Sequence, residues 1–256
     1  MDSQGGTEAA VAGPDAVRSR VYWDNVEPTV NGMLGGFSRI SPSDASESRR
    51  FLSQWFQPLR TAPAAVRPAS EDSRPRARLA LDCGAGIGRI SKLLLLSFAE
   101  ESHLLEQSQL FLDKSLEYMG GGNHGRVKCI CSSLQSFRPE AGVTYDIVWL
   151  QWVTGYLTDD ELTSFLRRMA SSLGSRGKIF VKDNVTAGDQ PDTDMNDASV
   201  TRPRHSLLRL FSHAGLQVVQ EVRQKKLPKG LYPVIMFALS PDPLPRDLES
   251  RTQAAS

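Results

Sequence analysis

Apolar and polar positions follow two alternating patterns along most of the chain. From Arg78 onward, short runs rich in Leu, Val and Ile alternate with segments whose apolar residues recur at helical spacing. Short apolar runs joined by amphipathic helices are typical of a parallel sheet covered by helices on both faces. The pattern predicts five strands in this part of the chain: Arg78–Cys83, Ser102–Glu106, Arg126–Ile130, Tyr145–Leu150 and Lys178–Lys182.

Helices are predicted between these strands and on both sides of them. One begins after Thr158, a favoured N-cap residue type, with Glu161 three residues later at the spacing of a capping box. The predicted helices are Val17–Val26, Ser43–Phe56, Gly88–Phe98, Gln109–Met119, Asp159–Leu173 and Arg204–His213.

The last part of the chain predicts a different strand pairing. Two apolar runs, Leu216–Arg223 and Tyr232–Leu239, are separated only by a short turn-like sequence at 227–230. A connection without a crossover helix suits antiparallel neighbours. We therefore expect an α/β fold whose mostly parallel sheet ends on a hairpin-like antiparallel pair.

The composition predicts a single soluble domain. The chain has 256 residues, 40% of them apolar, and its 30 Lys and Arg nearly balance 29 Asp and Glu. A formal charge of +1 gives no overall field for nucleic acid or an anionic membrane, and no apolar run has the length of a bilayer span. Three cysteines and four scattered histidines lack disulfide-framework and metal-ligand spacing. We expect one domain at 16–240 between disordered tails at 1–15 and 241–256, no metal, and residence in the cytoplasm, the nucleus or both.

Two segments depart from this balance of charge. Five arginines fall between positions 60 and 78 among Ala, Pro and Ser, so residues 59–77 are predicted to form a flexible basic insertion. Between Asn184 and Thr201 lie four aspartates and no Lys or Arg. This acidic loop is either a solvated linker or a surface for a small cationic group.

A glycine-rich turn carries the first candidate chemistry. An apolar strand leads into Gly84, Gly86 and Gly88 and then into a predicted helix. Alternating glycines let the backbone turn sharply and approach a ligand closely. The GxGxG spacing differs from the GxGxxG of dinucleotide sites, and suits a loop that passes under the methionine part of S-adenosylmethionine (AdoMet).

Arg89 and Glu106 extend this candidate nucleoside site. The forked guanidinium of Arg89 suits the methionine carboxylate. Glu106 ends the second predicted strand, where an acidic side chain can accept hydrogen bonds from both ribose hydroxyls. Simpler roles stay open, because Asp82 could cap the turn and Arg89 could face solvent.

Other motifs resemble a known family. Beside the sequence LDCGAGIGR at 81–89, they are Tyr-Trp at 22–23, PTVNGMLGGF at 28–37, VWLQWVTGYLTD at 148–159, KDN at 182–184 and DASVTR at 197–202. Together they resemble the protein α-N-terminal methyltransferases, which methylate the free α-amine of proteins beginning X-Pro-Lys or X-Pro-Arg after the initiator methionine is lost. The likeness extends from about Tyr22 to about Leu239.

The resemblance implies a fold and a set of site residues. The fold is the class I AdoMet-dependent methyltransferase fold, a seven-stranded mostly parallel sheet with an antiparallel last strand, plus N-terminal helices. The family's hairpin-like insertion is not obvious here, because Gly188–Met195 is polar and contains a proline. The implied AdoMet contacts are Gly84, Gly86, Arg89, Glu106, Gln107, Ser108, Leu134, Gln135, Gln151 and Trp23. The implied substrate contacts are Leu34, Ile40, Trp152, Asp194, Leu231 and Tyr232, and the implied catalytic residues are Asp197, Asn184 and Tyr156.

Tyr156 is the main departure from the family pattern. The family supplies an aspartate and a histidine to remove the proton of the α-ammonium, whose reference pKa is about 7.7–8.0. Asp197 matches the aspartate, but Tyr156 occupies the histidine position. A tyrosine, with a reference pKa of about 10, is a poor proton acceptor and a good hydrogen-bond partner. We therefore expect Asp197 to be the base and Tyr156 to orient the amine or a relaying water.

Three aromatic residues outside these roles, Trp149, Tyr22 and Tyr145, are assigned to packing.

Two alternative functions are also compatible with the sequence. A small-molecule amine methyltransferase would act on free amines without requiring a proline. A non-catalytic AdoMet-binding protein would fit the missing histidine. A nucleic-acid methyltransferase fits poorly, because no basic face exists outside the 60–78 segment and no Asn/Asp-Pro-Pro-Tyr sequence is present.

Overall fold

A seven-stranded sheet forms the centre of the molecule. The computed structural model describes residues 13–59 and 74–241. The strands are β1 Ala77–Cys83, β2 Ala99–Glu106, β3 Val127–Cys131, β4 Tyr145–Gln151, β5 Leu173–Asn184, β6 Asp192–Thr193, β7 Val200–Thr201, β8 Leu216–Arg223 and β9 Val234–Pro241. The large sheet has the order β3-β2-β1-β4-β5-β9-β8, and β6 and β7 pair separately. Only β9 runs antiparallel to its neighbours in the large sheet, which confirms the predicted fold class.

Helices cover both faces of this sheet. They are α1 Ala16–Asp24, α2 Val30–Met33, α3 Ser41–Leu52, α4 Arg89–Leu93, α5 Gln109–Met119, α6 Asp159–Ser171 and α7 Arg204–His213. Short 3-10 turns lie at Ser38–Ile40, Leu95–Ser97, Gly121–Arg126 and Thr154–Tyr156. The capping box predicted at Thr158 and Glu161 is present at the start of α6.

Strand β4 shows how the two helical layers are anchored. Ile147 and Trp149 point into one core and Val148 and Leu150 into the other, all fully buried. Trp149 stacks on Phe180 with ring centroids 5.6 Å apart, so its predicted packing role is confirmed. Truncating a buried tryptophan costs about 3–5 kcal/mol, which makes this stack a major contribution to the core.

The strand order creates a crevice at the carboxyl ends of the central parallel strands. Strand β1 pairs with β2 on one side and with β4 on the other, so the chain crosses over in opposite directions from β1. The carboxyl ends of parallel strands at such a reversal leave room for a ligand. The residues that end β1, β2 and β4 there are Cys83, Glu106 and Gln151.

Several predicted boundaries are wrong. The helix predicted at Gly88–Phe98 ends at Leu93 and continues only as a 3-10 turn, because Leu94 leaves helical geometry at φ −128° and β2 already begins at Ala99. The helix predicted to run through Leu173 ends at Ser171, since Leu173 opens β5. The helix predicted at Ser43–Phe56 spans Ser41–Leu52.

A short antiparallel hairpin lies in the acidic loop, where the sequence did not indicate one. Strands β6 and β7 pair antiparallel at Asp192–Thr201 and Thr193–Val200. Each strand has only two residues and they are largely polar, so no hydrophobic alternation marks them.

Parts of the predicted domain plan lie outside the described residues. Most of the proposed tails and residues 60–73 of the proposed basic insertion belong there. At the edges of these segments, Asp15 caps α1 by accepting backbone N–H groups of Val17 and Arg18, and Ala77 opens β1. None of the helices in the described ranges combines the length and apolar character of a membrane-crossing segment.

Candidate active site

The glycine turn after β1 is shaped by close contacts. Gly84, Gly86 and Gly88 have φ values of +67°, +55° and +80°, a region that favours glycine. A Cβ on Gly84 would lie 2.7 Å from Val153 Cγ2, and one on Gly86 would lie 2.2 Å from Met33 Sδ. The turn therefore requires glycine for its backbone conformation and for the close approach of neighbouring segments.

Glu106 is held beside this turn by backbone donors. The Gly86 N–H donates to Oε2 at 3.0 Å, and the Ser108 N–H donates to Oε1 at 2.9 Å. Burial raises the pKa of Glu106 above its usual value, against these hydrogen bonds, which lower it. Each carboxylate oxygen accepts one of these bonds and has capacity for another, which suits a pair of neighbouring hydroxyl donors.

A cleft opens above the glycine turn. Its volume is about 1050 Å³, including the solvent space at its open mouth. Polar groups of Asp82, Arg89, Glu106, Gln107, Gln135 and Gln151 meet apolar side chains of Trp23, Ile90, Phe111, Leu134 and Val153. A flat base fits the apolar wall, while ribose hydroxyls and an amino-acid tail fit the polar one. The residues present therefore fit AdoMet.

Arg89 faces this cleft from a buried position. Its side chain is 4% exposed, so the alternative that it faces solvent is wrong. The Nη1 group donates to Asp44 Oδ2 at 2.7 Å. Asp82 accepts hydrogen bonds from the backbone N–H and hydroxyl of Ser91 at 2.9 and 2.8 Å, and burial raises its pKa to about 6.

A second, acidic cavity adjoins the cleft. Its lining comprises Trp152, Gly155, Tyr156, Asp183, Asn184, Asp192, Thr193, Asp194, Met195, Asp197, Ser199, Thr201 and Tyr232. Trp152 and Tyr156 belong to the walls of both spaces. The acidic loop thus lies directly beside the cleft. This position favours a surface for a small cationic group over a solvated linker.

Tyr156 and Asp197 meet where the two spaces join. The Tyr156 hydroxyl donates to Asp197 Oδ2 at 2.6 Å, and the Ser199 N–H donates to Oδ1 at 2.9 Å. Burial, followed by the charge of Asp197, raises the pKa of Tyr156 well above 10. The hydroxyl is therefore protonated at physiological pH and acts as a donor. The next residue, Ala198, has a φ of +57°, an uncommon conformation that turns the chain sharply after Asp197.

Asp183 connects the end of β5 to the turn that carries Tyr156. Its carboxylate accepts the Thr154 N–H at 3.0 Å, the Thr154 hydroxyl at 2.6 Å and the Asn184 N–H at 2.8 Å. The side-chain amide of Asn184 lines the acidic cavity and makes no hydrogen bond within the described part of the chain. It is therefore free to bind a polar ligand.

Trp152 separates the two spaces in an uncommon backbone conformation. Its φ is +54°, and its N–H donates to the Lys182 carbonyl at 3.0 Å. Arg89 Cζ and Lys182 Nζ lie 5.5 and 6.0 Å from the centre of its ring. Backbone outliers of this kind concentrate at functional sites.

The structure does not bring every predicted residue to these walls. Ile40, Ser108 and Leu231 line neither space. Ile40 is buried before α3, Ser108 precedes α5 and supports Glu106 through its backbone, and Leu231 is exposed near Tyr232. The Tyr232 hydroxyl donates to Asp192, which raises the pKa of Tyr232 to about 12.

Asp44 is a site residue that the sequence motifs did not reveal. It contacts Arg89, Gln151 and Lys182, residues 45 to 138 positions away along the chain.

No group of three or more His, Cys, Asp or Glu within 13–59 and 74–241 could hold a metal ion.

Comparisons with known proteins agree with the cofactor that the cleft fits. A family model described as "AdoMet dependent proline di-methyltransferase" matches residues 15–240. The chain is 42% identical over 219 residues to the "N-terminal Xaa-Pro-Lys N-methyltransferase 1" of Danio rerio, covering 85% of this chain and 92% of the relative. It is 40% identical over 222 residues to the protein of the same name in Homo sapiens, covering 87% and 93%.

Solved structures resemble the chain as well. A SAM-dependent methyltransferase of Leishmania major has a TM-score of 0.74 and 32% identity, covering 88% of this chain and 82% of its own. The 1,6-didemethyltoxoflavin-N1-methyltransferase of Burkholderia thailandensis has a TM-score of 0.66 and 16% identity, covering 94% and 98%. At that identity, the second likeness concerns the fold alone.

Proposed function

Because the chain belongs to the AdoMet-dependent proline di-methyltransferase family, we propose that it methylates the free α-amine of proteins that begin Xaa-Pro-Lys or Xaa-Pro-Arg once the initiator methionine is removed. Family membership confirms the resemblance drawn from the sequence motifs, and AdoMet is the methyl donor. The observation that carries the choice of substrate is the acidic cavity that joins the cofactor cleft at Trp152 and Tyr156.

The cleft residues hold and orient the cofactor. When bound, AdoMet supplies an electrophilic methyl group on its sulfonium. Glu106 would accept hydrogen bonds from the ribose, Arg89 would bind the carboxylate, and Phe111 and Leu134, which line the cleft, would pack against the base. Trp23 of α1 lies in the same wall and limits the access of water.

The acidic cavity fits the start of a basic protein chain. Trp152 and Tyr232 offer aromatic faces to a proline ring, which is rigid and apolar and so loses little entropy on binding. Asp192 and Asp194 provide negative charge for a third-position Lys or Arg. Leu34 lines the cleft beside this cavity, and the free amide of Asn184 binds the first residue's backbone.

Asp197 accepts the proton that the α-ammonium must lose before methyl transfer. It is the carboxylate at the junction of the two spaces, and Tyr156 donates to one of its oxygens. This hydrogen bond fixes the orientation of the carboxylate. The raised pKa of Tyr156 keeps its hydroxyl protonated, which excludes the tyrosine as a base at neutral pH. The amine can rotate between rounds, so one to three methyl groups can be added, and an N-terminal proline stops at two.

Mass spectrometry of peptides tests this proposal. The full-length chain with AdoMet should add 14 Da increments to a Ser-Pro-Lys peptide, and fragment ions should locate them on the α-nitrogen. A Ser-Gln-Lys peptide should react at least about tenfold more slowly, because it lacks the proline ring. An Nα-acetylated Ser-Pro-Lys peptide should not react.

Two results would favour the alternative functions. Methylation of free amines, indifferent to proline, would identify a small-molecule amine methyltransferase. AdoMet binding by calorimetry without turnover of any peptide would identify a non-catalytic binding protein. Action in the cytoplasm, the nucleus or both stays a prediction.

A further inference from the structure

We propose that Asp44 of α3 is a positioning residue, which holds Arg89 so that the free edge of its guanidinium faces the carboxylate of the bound cofactor. The proposal concerns the cofactor cleft alone and does not depend on which amine is methylated. It assigns a role in cofactor binding to the helical layer that precedes the sheet.

Asp44 is a completely buried carboxylate with several charged or polar partners. It is 0% exposed, and its Oδ2 accepts the Arg89 Nη1 group at 2.7 Å. Lys182 Nζ donates to Oδ1, and Gln151 Nε2 lies 3.0 Å from both oxygens. A buried carboxylate with several donors is fixed in direction, since any rotation would leave a buried charge unpaired.

Arg89 uses only one of its nitrogens in this contact. Nη1 donates to Asp44 and, at 3.3 Å, to the hydroxyl of Ser41. Nε and Nη2 have no hydrogen-bond partner among the residues described, although the side chain lines the cleft. These two groups form one edge of the planar guanidinium, which matches the two oxygens of a carboxylate.

The other partners of Asp44 are themselves held in place. Lys182 is fully buried and also donates to Ser48 Oγ at 2.8 Å. The Gln151 amide is oriented in turn, because its Oε1 accepts the indole N–H of Trp149 at 3.1 Å. The network joins α3, β4 and β5 to the start of α4, so the direction of Arg89 depends on the packing of α3 against the sheet edge.

The test compares two ligands that differ in the amino-acid part. S-adenosylhomocysteine carries the carboxylate, and 5′-methylthioadenosine contains the nucleoside without it. In Asp44→Asn, the dissociation constant of S-adenosylhomocysteine measured by calorimetry should rise about tenfold, the value of one charged hydrogen bond. That of 5′-methylthioadenosine should change less than about twofold. An equal loss for both ligands, or unchanged or tighter binding of S-adenosylhomocysteine, would overturn the proposal.

Four further variants separate positioning from folding. Asp146→Asn removes a carboxylate that accepts the N–H groups of Arg78 and Leu79 at the opposite end of β1, and it should leave the ratio of the two constants unchanged. Arg89→Met should show the selective loss, and adding Asp44→Asn to it should cost nothing more. If Asp44→Asn does not fold, the double variant Asp44→Asn/Lys182→Met removes the cation left unpaired. A double variant that bound S-adenosylhomocysteine with wild-type affinity would contradict the proposal.

Discussion

Tyr156 supports catalysis as a donor in the proposed mechanism. Its hydroxyl lies 2.6 Å from Asp197 Oδ2, and its ring lies 6.0 Å from that of Trp23. Burial raises the pKa of this tyrosine well above 10, so its proton stays in place across the working pH range. A histidine at this position would titrate near neutral pH and add a second acceptor. In the proposed mechanism, the Asp197 carboxylate therefore accepts the proton alone.

Replacing Tyr156 by phenylalanine should lower the rate without moving its pH dependence. The variant loses a hydrogen bond to a charged group, so kcat on a Ser-Pro-Lys peptide should fall about tenfold. Because the tyrosine does not titrate between about pH 6 and pH 9, the midpoint of the kcat profile should stay in place. The measurement is kcat against pH for both proteins.

A Tyr118→Phe variant serves as the control for this substitution. Tyr118 lies against Lys92 and does not line the cleft, so its loss should leave kcat unchanged. A displaced pH midpoint in Tyr156→Phe would show that the hydroxyl controls the titration of the reacting groups, through its own proton or through its hydrogen bond to Asp197.

Residues in local motifs could be predicted from the sequence, whereas residues defined by distant contacts could not. Glu106 follows from its place at the end of an apolar strand after the glycine turn. Asp44 has no such signal, because it matters only through Arg89 and Lys182, 45 and 138 positions away. In the sequence, Asp44 is one polar residue of an amphipathic helix.

At the scale of elements, α1 is fastened to the segment that carries Asp197. The hydroxyl of Ser19 donates to the Asp197 carbonyl at 2.7 Å, and Arg18 Nη2 donates to the Met195 carbonyl at 2.7 Å. The Asp15 N–H donates to the Ala198 carbonyl at 3.3 Å. Ala16, Ser19 and Trp23 also line the cofactor cleft. Helix α1 thus connects closure of the cleft with the placement of the proposed base.

Ser19→Ala should loosen this connection. Loss of one buried hydrogen bond costs about 1 kcal/mol, so amide hydrogens of 16–24 should exchange about fivefold faster. Hydrogen exchange followed by mass spectrometry measures this change. The exposed Ser46→Ala on α3 is the control and should leave the exchange of 16–24 as it is. Equal protection of α1 in wild type and Ser19→Ala would show that the hydroxyl does not fasten the helix.

The existence of the strands and longer helices could be predicted better than their ends. The apolar pattern marks β1 and β4, which are buried on both faces, and α6, which buries one continuous face. It cannot show where Leu94 leaves the helix, since the apolar run 93–96 suits a helix and a buried turn equally. The β6–β7 hairpin is held by two residue pairs, too few to leave a pattern.

For the whole molecule, the buried Asp82 links stability to pH. The folded protein raises its pKa from 3.8 to about 6, chiefly by burial. As pH rises, the unfolded chain therefore releases this proton first, which favours unfolding. The contribution of Asp82 to stability is fully present below about pH 4 and is lost as pH passes about 6.

Asp82→Asn should remove this dependence. Between about pH 4 and pH 7, the free energy of unfolding of the wild type should fall by about 2 kcal/mol relative to that of the variant. Urea unfolding at a series of pH values, followed by circular dichroism, gives both curves. Parallel curves would show that Asp82 has the same pKa in the folded and unfolded chain.

The large sheet places the cofactor cleft and the acidic cavity side by side at one edge. Strands β1, β2 and β4 supply the cleft, and β5 supplies Asn184 and Asp183 to the cavity. The rate of methyl transfer should therefore depend on the carboxylate at their junction.

Single-turnover methyl transfer to a Ser-Pro-Lys peptide by wild type and Asp197→Asn tests this dependence most directly. The wild type should transfer a methyl group to the α-nitrogen. The variant should do so about 10²- to 10⁴-fold more slowly at pH 7, while S-adenosylhomocysteine binds both proteins equally. A variant rate close to that of the wild type, or a wild type that leaves the peptide unmethylated, would contradict methyl transfer at this junction.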